Sequence, residues 1–292
     1  MKSSDQRGSF RGAGIAAAAA VSLGISLGLG MSLSFGALAA ETEPVSPSAD
    51  VTVREITTAL FKAEPGVPAD FSNHDLTYLD LSGLNFKGAK LARSDLYGAD
   101  FTDANLRGVD LSGTRLDRAT LIRADFSGAN LSGATILRPT IYSDLTETLS
   151  DAPRFAGANL TGVRIMASMS GADFHAADLT KANFTPRETR AGQGTMSTLA
   201  RNIFRACDFD RAILHDANFD HVVLTFSRFV GADLKGADFS NSDLSRADFT
   251  NADLTGADFT GADLDGANLF GVKGLDKVKG LSTALNFDKT IR

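Results

Sequence analysis

Residues 231–270 read GADLKGADFSNSDLSRADFTNADLTGADFTGADLDGANLF, and this stretch decides the fold. A large apolar residue recurs every five positions from Leu234 to Leu269, and a small residue, usually alanine, stands two positions before it. Helices repeat every 3.6 residues and strands every 2 residues, so a period of five predicts neither a simple helix nor a simple strand.

The spacing inside one repeat resolves this period. Ala252 and Leu254 are two residues apart, so in a strand both side chains point to the same face. The next small residue, Ala257, follows Leu254 by three positions, which breaks the strand alternation. The chain must therefore bend once per repeat, and Gly, Asn, Asp and Ser, which tolerate turns, cluster at that bend. Each repeat is a short strand plus a corner, and stacked repeats form a solenoid.

The number of sides per coil follows from the alternation of Phe and Leu. Four sides place each residue above the one 20 positions earlier and give uniform columns, with Phe209, Phe229 and Phe249 in one of them. Three sides would place Phe over Leu throughout. Because columns of identical side chains pack more simply than columns in which Phe and Leu alternate, we predict four sides.

These repeats resemble the A-(D/N)-L-x-x pattern of the pentapeptide repeat family, as in ADLKG at 232–236 and ANLSG at 129–133. The resemblance covers residues 69–271 and implies an all-β, right-handed, four-sided β-helix. The pattern is interrupted at 142–153, between Ile165 and Met169, and at 186–196, and we expect loops there.

Both ends of the chain depart from the repeat. Residues 1–39 predict a signal peptide, because a basic start precedes an uncharged run that ends in Ala37-Leu38-Ala39. A retained membrane anchor is the alternative interpretation. A linker over 40–50 follows, and then an N-terminal cap over 51–68 with a helix over 53–63 that begins at a capping box. Residues 272–292 predict a C-terminal cap or tail.

Composition restricts the chemistry. The chain is 43% hydrophobic with a net charge of −6, which does not favour a protein that tracks nucleic-acid phosphates. A single cysteine excludes an internal disulfide; Cys207 takes an inward alanine position and predicts an inert core residue. His74 also takes an inward position, whereas the other histidines are scattered. The sequence predicts no catalytic residues, cofactor or metal site, and therefore no enzyme.

Asp or Asn precedes most of the large apolar residues, without a break from Asp233 to Asp263. One interpretation is an acidic face that mimics nucleic acid or binds cations. The other is that each carboxylate points outward and binds nearby backbone.

Three features break the pattern and are the candidate partner-binding sites. Ile203 and Val223 replace the usual outward Asp and should stack on one face, with Phe226 at the neighbouring corner. The two longer interruptions supply the other candidates, which are Asp144, Glu147, Asp151, Arg187 and Arg190. Loops on rigid scaffolds often carry recognition, although neutral drift of a tolerant surface would also produce them.

We therefore expect an exported scaffold, periplasmic or extracellular, that binds an unknown protein partner, with a homodimer as one possibility. Contact with a membrane is expected only if the N-terminal segment is retained. The alternative comes from the family resemblance: a DNA-mimicking protein that binds topoisomerases and protects them from quinolones. The export signal argues against this alternative, because topoisomerases are cytoplasmic.

Overall fold

The computed structural model describes residues 49–64, 66–144, 147–186 and 202–292. All of them belong to one compact unit, Val45–Arg292. The predicted signal peptide, most of the 40–50 linker, and all of the predicted 186–196 loop except its first residue, including Arg187 and Arg190, lie outside the described residues.

Each repeat forms one side and one corner of a coil. In the side that contains Phe249, the Ala252 N–H donates to the Phe249 carbonyl at 2.9 Å and closes a β-turn. Asn251, the third residue of this turn, has a φ of 59°. A positive φ at this position defines a type II turn, which favours Gly or Asn there. The Gly, Asn and Asp residues of the sequence pattern therefore stand where the backbone requires them.

The coils have four sides. Asp233 pairs in parallel with Asp253, and Asp238 pairs with Asp258. Successive coils are joined by backbone hydrogen bonds such as Leu234 N–H to Asp253 O at 2.9 Å. Partners are 20 residues apart in the uninterrupted coils, so the four-sided prediction is confirmed. The fold is a right-handed, four-sided β-helix.

We number the faces by the last regular coil. The first face carries Leu254, the second Phe259, the third Leu264 and the fourth Leu269. Most sides consist of isolated bridges. Two of them, on the second face, are extended strands: β1 (Thr135–Leu137) pairs in parallel with β2 (Arg164–Met166).

Columns of phenylalanine fill the core. On the fourth face, the rings of Phe209 and Phe229 stack at 4.9 Å with an interplanar angle of 3°. On the second face, Phe219 and Phe239 stack at 5.1 Å. The two columns meet edge to face across the core, with Phe209 and Phe219 at 5.8 Å and 82°. Leucines on the first and third faces close the remaining space. Both arrangements are favourable for aromatic rings, so the predicted columns are confirmed.

A helix covers the first coil, as predicted. Helix α1 spans Val53–Lys62, one residue shorter than expected, and buries Ile56 and Leu60 against the core. Thr52 and Glu55 form the reciprocal capping box. Lys87 Nζ donates to the Leu60 carbonyl at 2.9 Å and thereby satisfies the helix C-terminus.

The repeat interruptions differ from one another. The coil stops after Ile141 and resumes at Arg154, and a loop lies between them. The expectation of a loop between Ile165 and Met169 is wrong: β2 ends at Met166, Ser168 already pairs with Ile203, and the coil tightens by one residue. Strand pairing to β1 holds the backbone there, so the deletion is absorbed at the corner.

The tail forms a further coil with longer sides. Lys273, Lys279, Leu285 and Ile291 each pair with the preceding coil and are spaced six residues apart. Short 3-10 helices at Leu275–Lys277 and Phe287–Lys289 take up the extra residues. Among the described residues, no helix is long and apolar enough to cross a membrane.

Candidate functional site

Ile203 and Val223 stack on the third face. They pair in parallel, and the Val223 N–H donates to the Asn202 carbonyl at 2.9 Å. Both side chains are partly exposed. Phe226 lies at the corner between the third and fourth faces and is 51% exposed, with the Arg246 guanidinium 5.4 Å from its ring centroid. The sequence prediction of how these three residues are arranged is therefore confirmed.

The first loop lies beside these residues. Glu147 accepts hydrogen bonds from the Ser168 and Ser170 hydroxyls at 3.2 and 3.1 Å, and Ser168 precedes Ile203 on the third face. Leu149 is 50% exposed and lies against Gly171, where an added methyl group would be 3.0 Å from the Leu149 Cβ; Gly171 stands in the same corner column as Phe226, two coils earlier. The loop thus extends the apolar surface by one large side chain.

We call Leu149, Ile203, Val223 and Phe226 the apolar patch. Charged residues surround it: Glu147 on one side, Arg205 between its members, and Asp243 and Arg246 in the next coil. An apolar centre with a polar rim is the usual composition of a protein-binding surface. The sequence indicated Ile203, Val223 and Phe226, but nothing in the repeat pattern indicated Leu149.

The three predicted acidic loop residues have different environments. Asp144 is exposed, whereas Asp151 is only 5% exposed. Asp151 accepts hydrogen bonds from the Ser143 N–H and hydroxyl and from Arg123 Nη1 at 3.0, 2.7 and 2.8 Å. The Ser143 donors, with help from Arg123, hold the pKa of Asp151 below its usual range. This placement removes Asp151 from the residues that could reach a partner and makes it an anchor of the loop.

The outward aspartates bind their own backbone. The Thr250 N–H and hydroxyl both donate to Asp248 Oδ1, and the same geometry recurs at Asp243, Asp253 and Asp258. The Thr255 hydroxyl is the largest cause that lowers the pKa of Asp253 to about 2. The structure therefore gives these carboxylates a local role, as the second interpretation predicted, while their charge still faces outward.

Cys207 and His74, both predicted to be inward, lie in different environments. Burial raises the pKa of the Cys207 thiol to about 12, and the thiol donates to the Met169 carbonyl at 3.2 Å. His74 is not inward as predicted: its side chain is 41% exposed and pairs with Asp50 at 3.1 Å, because the segment before α1 passes beside the first coil. In the described part of the chain, no group of three or more His, Cys, Asp or Glu residues could hold a metal ion.

A cavity of about 500 Å³ lies beside the end of α1. Its lining offers one carboxylate, Glu64, and one ammonium group, Lys87, which is already bound to Leu60. This pair does not form a nucleophile and base arrangement.

Two further residues, Asn202 and Ile213, depart from the repeat pattern and were not predicted from the sequence as candidates. Asn202 occupies an inward alanine position and is buried; its amide donates to the carbonyls of Ile165, at 3.2 Å, and Phe184. Ile213 is an outward apolar residue on the first face and is 43% exposed. Both could have been found by checking every inward and outward position for residues that depart from the repeat.

Repeated sides around a closed core of stacked apolar side chains define a β-solenoid. The family pattern described as pentapeptide repeats matches residues 69–108, 99–136, 167–185, 203–241 and 232–271 in 8 copies. These segments cover more than half of the chain, which therefore belongs to the pentapeptide repeat family. Members of this family are generally structural or interaction proteins.

The chain is also similar, at low sequence identity, to two solved structures. HetL of the cyanobacterium Nostoc sp. strain PCC 7120, which is involved in the regulation of heterocyst differentiation, is 24% identical and covers 83% of this chain and 100% of its own, with a TM-score of 0.35. A trypsin-treated form of QnrB1, a plasmid-mediated fluoroquinolone resistance protein, is 23% identical and covers 70% of this chain and 93% of its own, with a TM-score of 0.38. A comparison with curated proteins finds no match.

Proposed function

We propose that this protein is an exported, non-enzymatic scaffold that binds a protein partner through the apolar patch. The observation that carries the proposal is the convergence of three irregularities on one side of the solenoid. The outward aspartates are replaced by Ile203 and Val223, the corner carries Phe226, and the first loop adds Leu149 beside them. A regular solenoid gains no stability from exposed apolar groups, whereas a partner could bury them.

The patch is tested by restoring the usual repeat surface. Replacing both Ile203→Asp and Val223→Asp should weaken partner binding at least about tenfold, because charges would enter a desolvated contact. Unfolding free energy should change by less than about 0.5 kcal/mol, since both side chains point outward. Ile213→Asp is the matched control, because it makes the same replacement on the first face.

A photo-crosslinking residue at position 226 reads out the contact in intact cells. We expect one crosslinked product in the otherwise unchanged protein and in Ile213→Asp, and its loss in the double variant. A second copy of the chain is one identity that this product could have. Equal crosslinking in all three proteins would exclude the patch as the binding site. A double variant that loses stability instead would show that the patch packs against its own chain.

Export is the second part of the proposal and rests on the basic start and the uncharged run before Ala39. We expect mass spectrometry of the mature protein from fractionated cells to find an N-terminus near Ala40, outside the cytoplasm. A cytoplasmic protein that still begins at Met1 would contradict export.

A topoisomerase-binding, DNA-mimicking protein is the second candidate function. It is favoured by the charge of the coils between Asp233 and Asp263, whose outward carboxylates include Asp233 at 33% exposure. Protection of DNA gyrase from a quinolone in a supercoiling assay would support it. Export together with no protection at equimolar protein would exclude it.

A further inference from the structure

We draw no further inference here: the strongest candidate, the outer end of the terminal coil, where Leu275, Val278 and Leu281 are only partly buried and Leu285 and Ile291 are exposed at the rim, carries nothing because nothing in the structure shows what covers it.

Discussion

At the residue scale, the inward small position is less strict than its alanines suggest. Ser94, Ser227 and Ser242 occupy it while buried, and each hydroxyl donates to a backbone carbonyl, at 2.7, 2.6 and 2.6 Å respectively. Turn carbonyls lie within reach of this position, so a short hydroxyl can replace a methyl group without leaving a polar atom unpaired. The inward position therefore accepts serine, and valine at Val109, Val163 and Val222, whereas a larger polar side chain needs special partners for its polar atoms.

Asn202 shows such special partners. Its amide donates to two carbonyls. One belongs to Phe184, on the side just before the interruption at 186–196, and the other to Ile165, on the same face one coil earlier. We predict that Asn202→Ala lowers the free energy of unfolding by about 1–3 kcal/mol, because two buried carbonyls would lose their donor. Urea unfolding measures it. Ser242→Ala, which removes a donor to one carbonyl, is the control; an equal or larger effect of Ser242→Ala would contradict this role.

At the scale of elements, one guanidinium contributes to holding the first loop on the solenoid. Arg123 binds Asp103 in the preceding coil and Asp151 in the loop. Only Asp151 is buried, and it also binds Ser143. The two carboxylates therefore form a matched pair that differs chiefly in burial.

We predict that Asp151→Asn lowers Tm by roughly 2–4 °C, because a buried carboxylate loses a charge-assisted bond. Asp103→Asn should change Tm by less than about 1 °C, since exposed ion pairs contribute little. Differential scanning calorimetry separates the two. If the two variants shift Tm equally, burial does not explain the contribution of the Arg123–Asp151 contact to stability.

The terminal coil depends on glycines that the preceding coils do not need. A methyl group built on Gly280 would lie 2.3 Å from the Thr260 backbone nitrogen, and φ there is 74°. Gly256 has a similar φ of 78° but nothing within 4 Å. The close approach arises because the longer sides of the last coil fold over the preceding corner.

We therefore predict that Gly256→Ala costs about 1 kcal/mol, from the left-handed backbone alone. Gly280→Ala should cost roughly 3 kcal/mol or more, because backbone atoms must also move. Chemical unfolding of both variants gives the comparison. A Gly280→Ala variant as stable as Gly256→Ala would mean that the last coil contributes little to the folded state.

At the scale of the whole molecule, stability should depend on acid pH through the outward aspartates. Hydroxyl and N–H donors two residues later lower the pKa of Asp80, Asp253 and Asp258, and Asp253 reaches about 2. A carboxyl whose folded-state pKa is depressed stabilises the fold above its ordinary pKa, and this contribution is lost as pH falls to the folded pKa. The free energy of unfolding should thus decline from about pH 4 to pH 2.

Asp253→Asn should make this decline shallower, because one of the titrating groups is removed while an acceptor oxygen remains. The control is Asp276→Asn in the terminal coil, whose carboxylate makes no hydrogen bond within the described residues. Thermal unfolding between pH 5 and pH 2 measures both slopes. A slope that is the same in the unchanged protein and in Asp253→Asn would show that the local hydrogen bonds do not determine the acid response.

The sequence by itself determined the coil. Its period, the Phe and Leu columns, the capping box at Thr52 and the places where the repeat breaks were all readable, because each repeat contacts its neighbours at a fixed separation along the chain. Local residue types then suffice to place most inward, outward and corner side chains, with His74 in the first coil as an exception.

Only the tertiary structure decided how the chain folds where the repeat is interrupted. Asp151 is buried because Arg123, one coil earlier, reaches it, and the deletion before Met169 is absorbed because β2 pairs with β1. Leu149 joins the apolar patch because its loop packs against Gly171. These outcomes depend on contacts between coils at irregular separations, which the repeat pattern does not encode. The tail likewise becomes a coil of longer sides because the backbone of the coil before it offers hydrogen-bond partners for four more bridges.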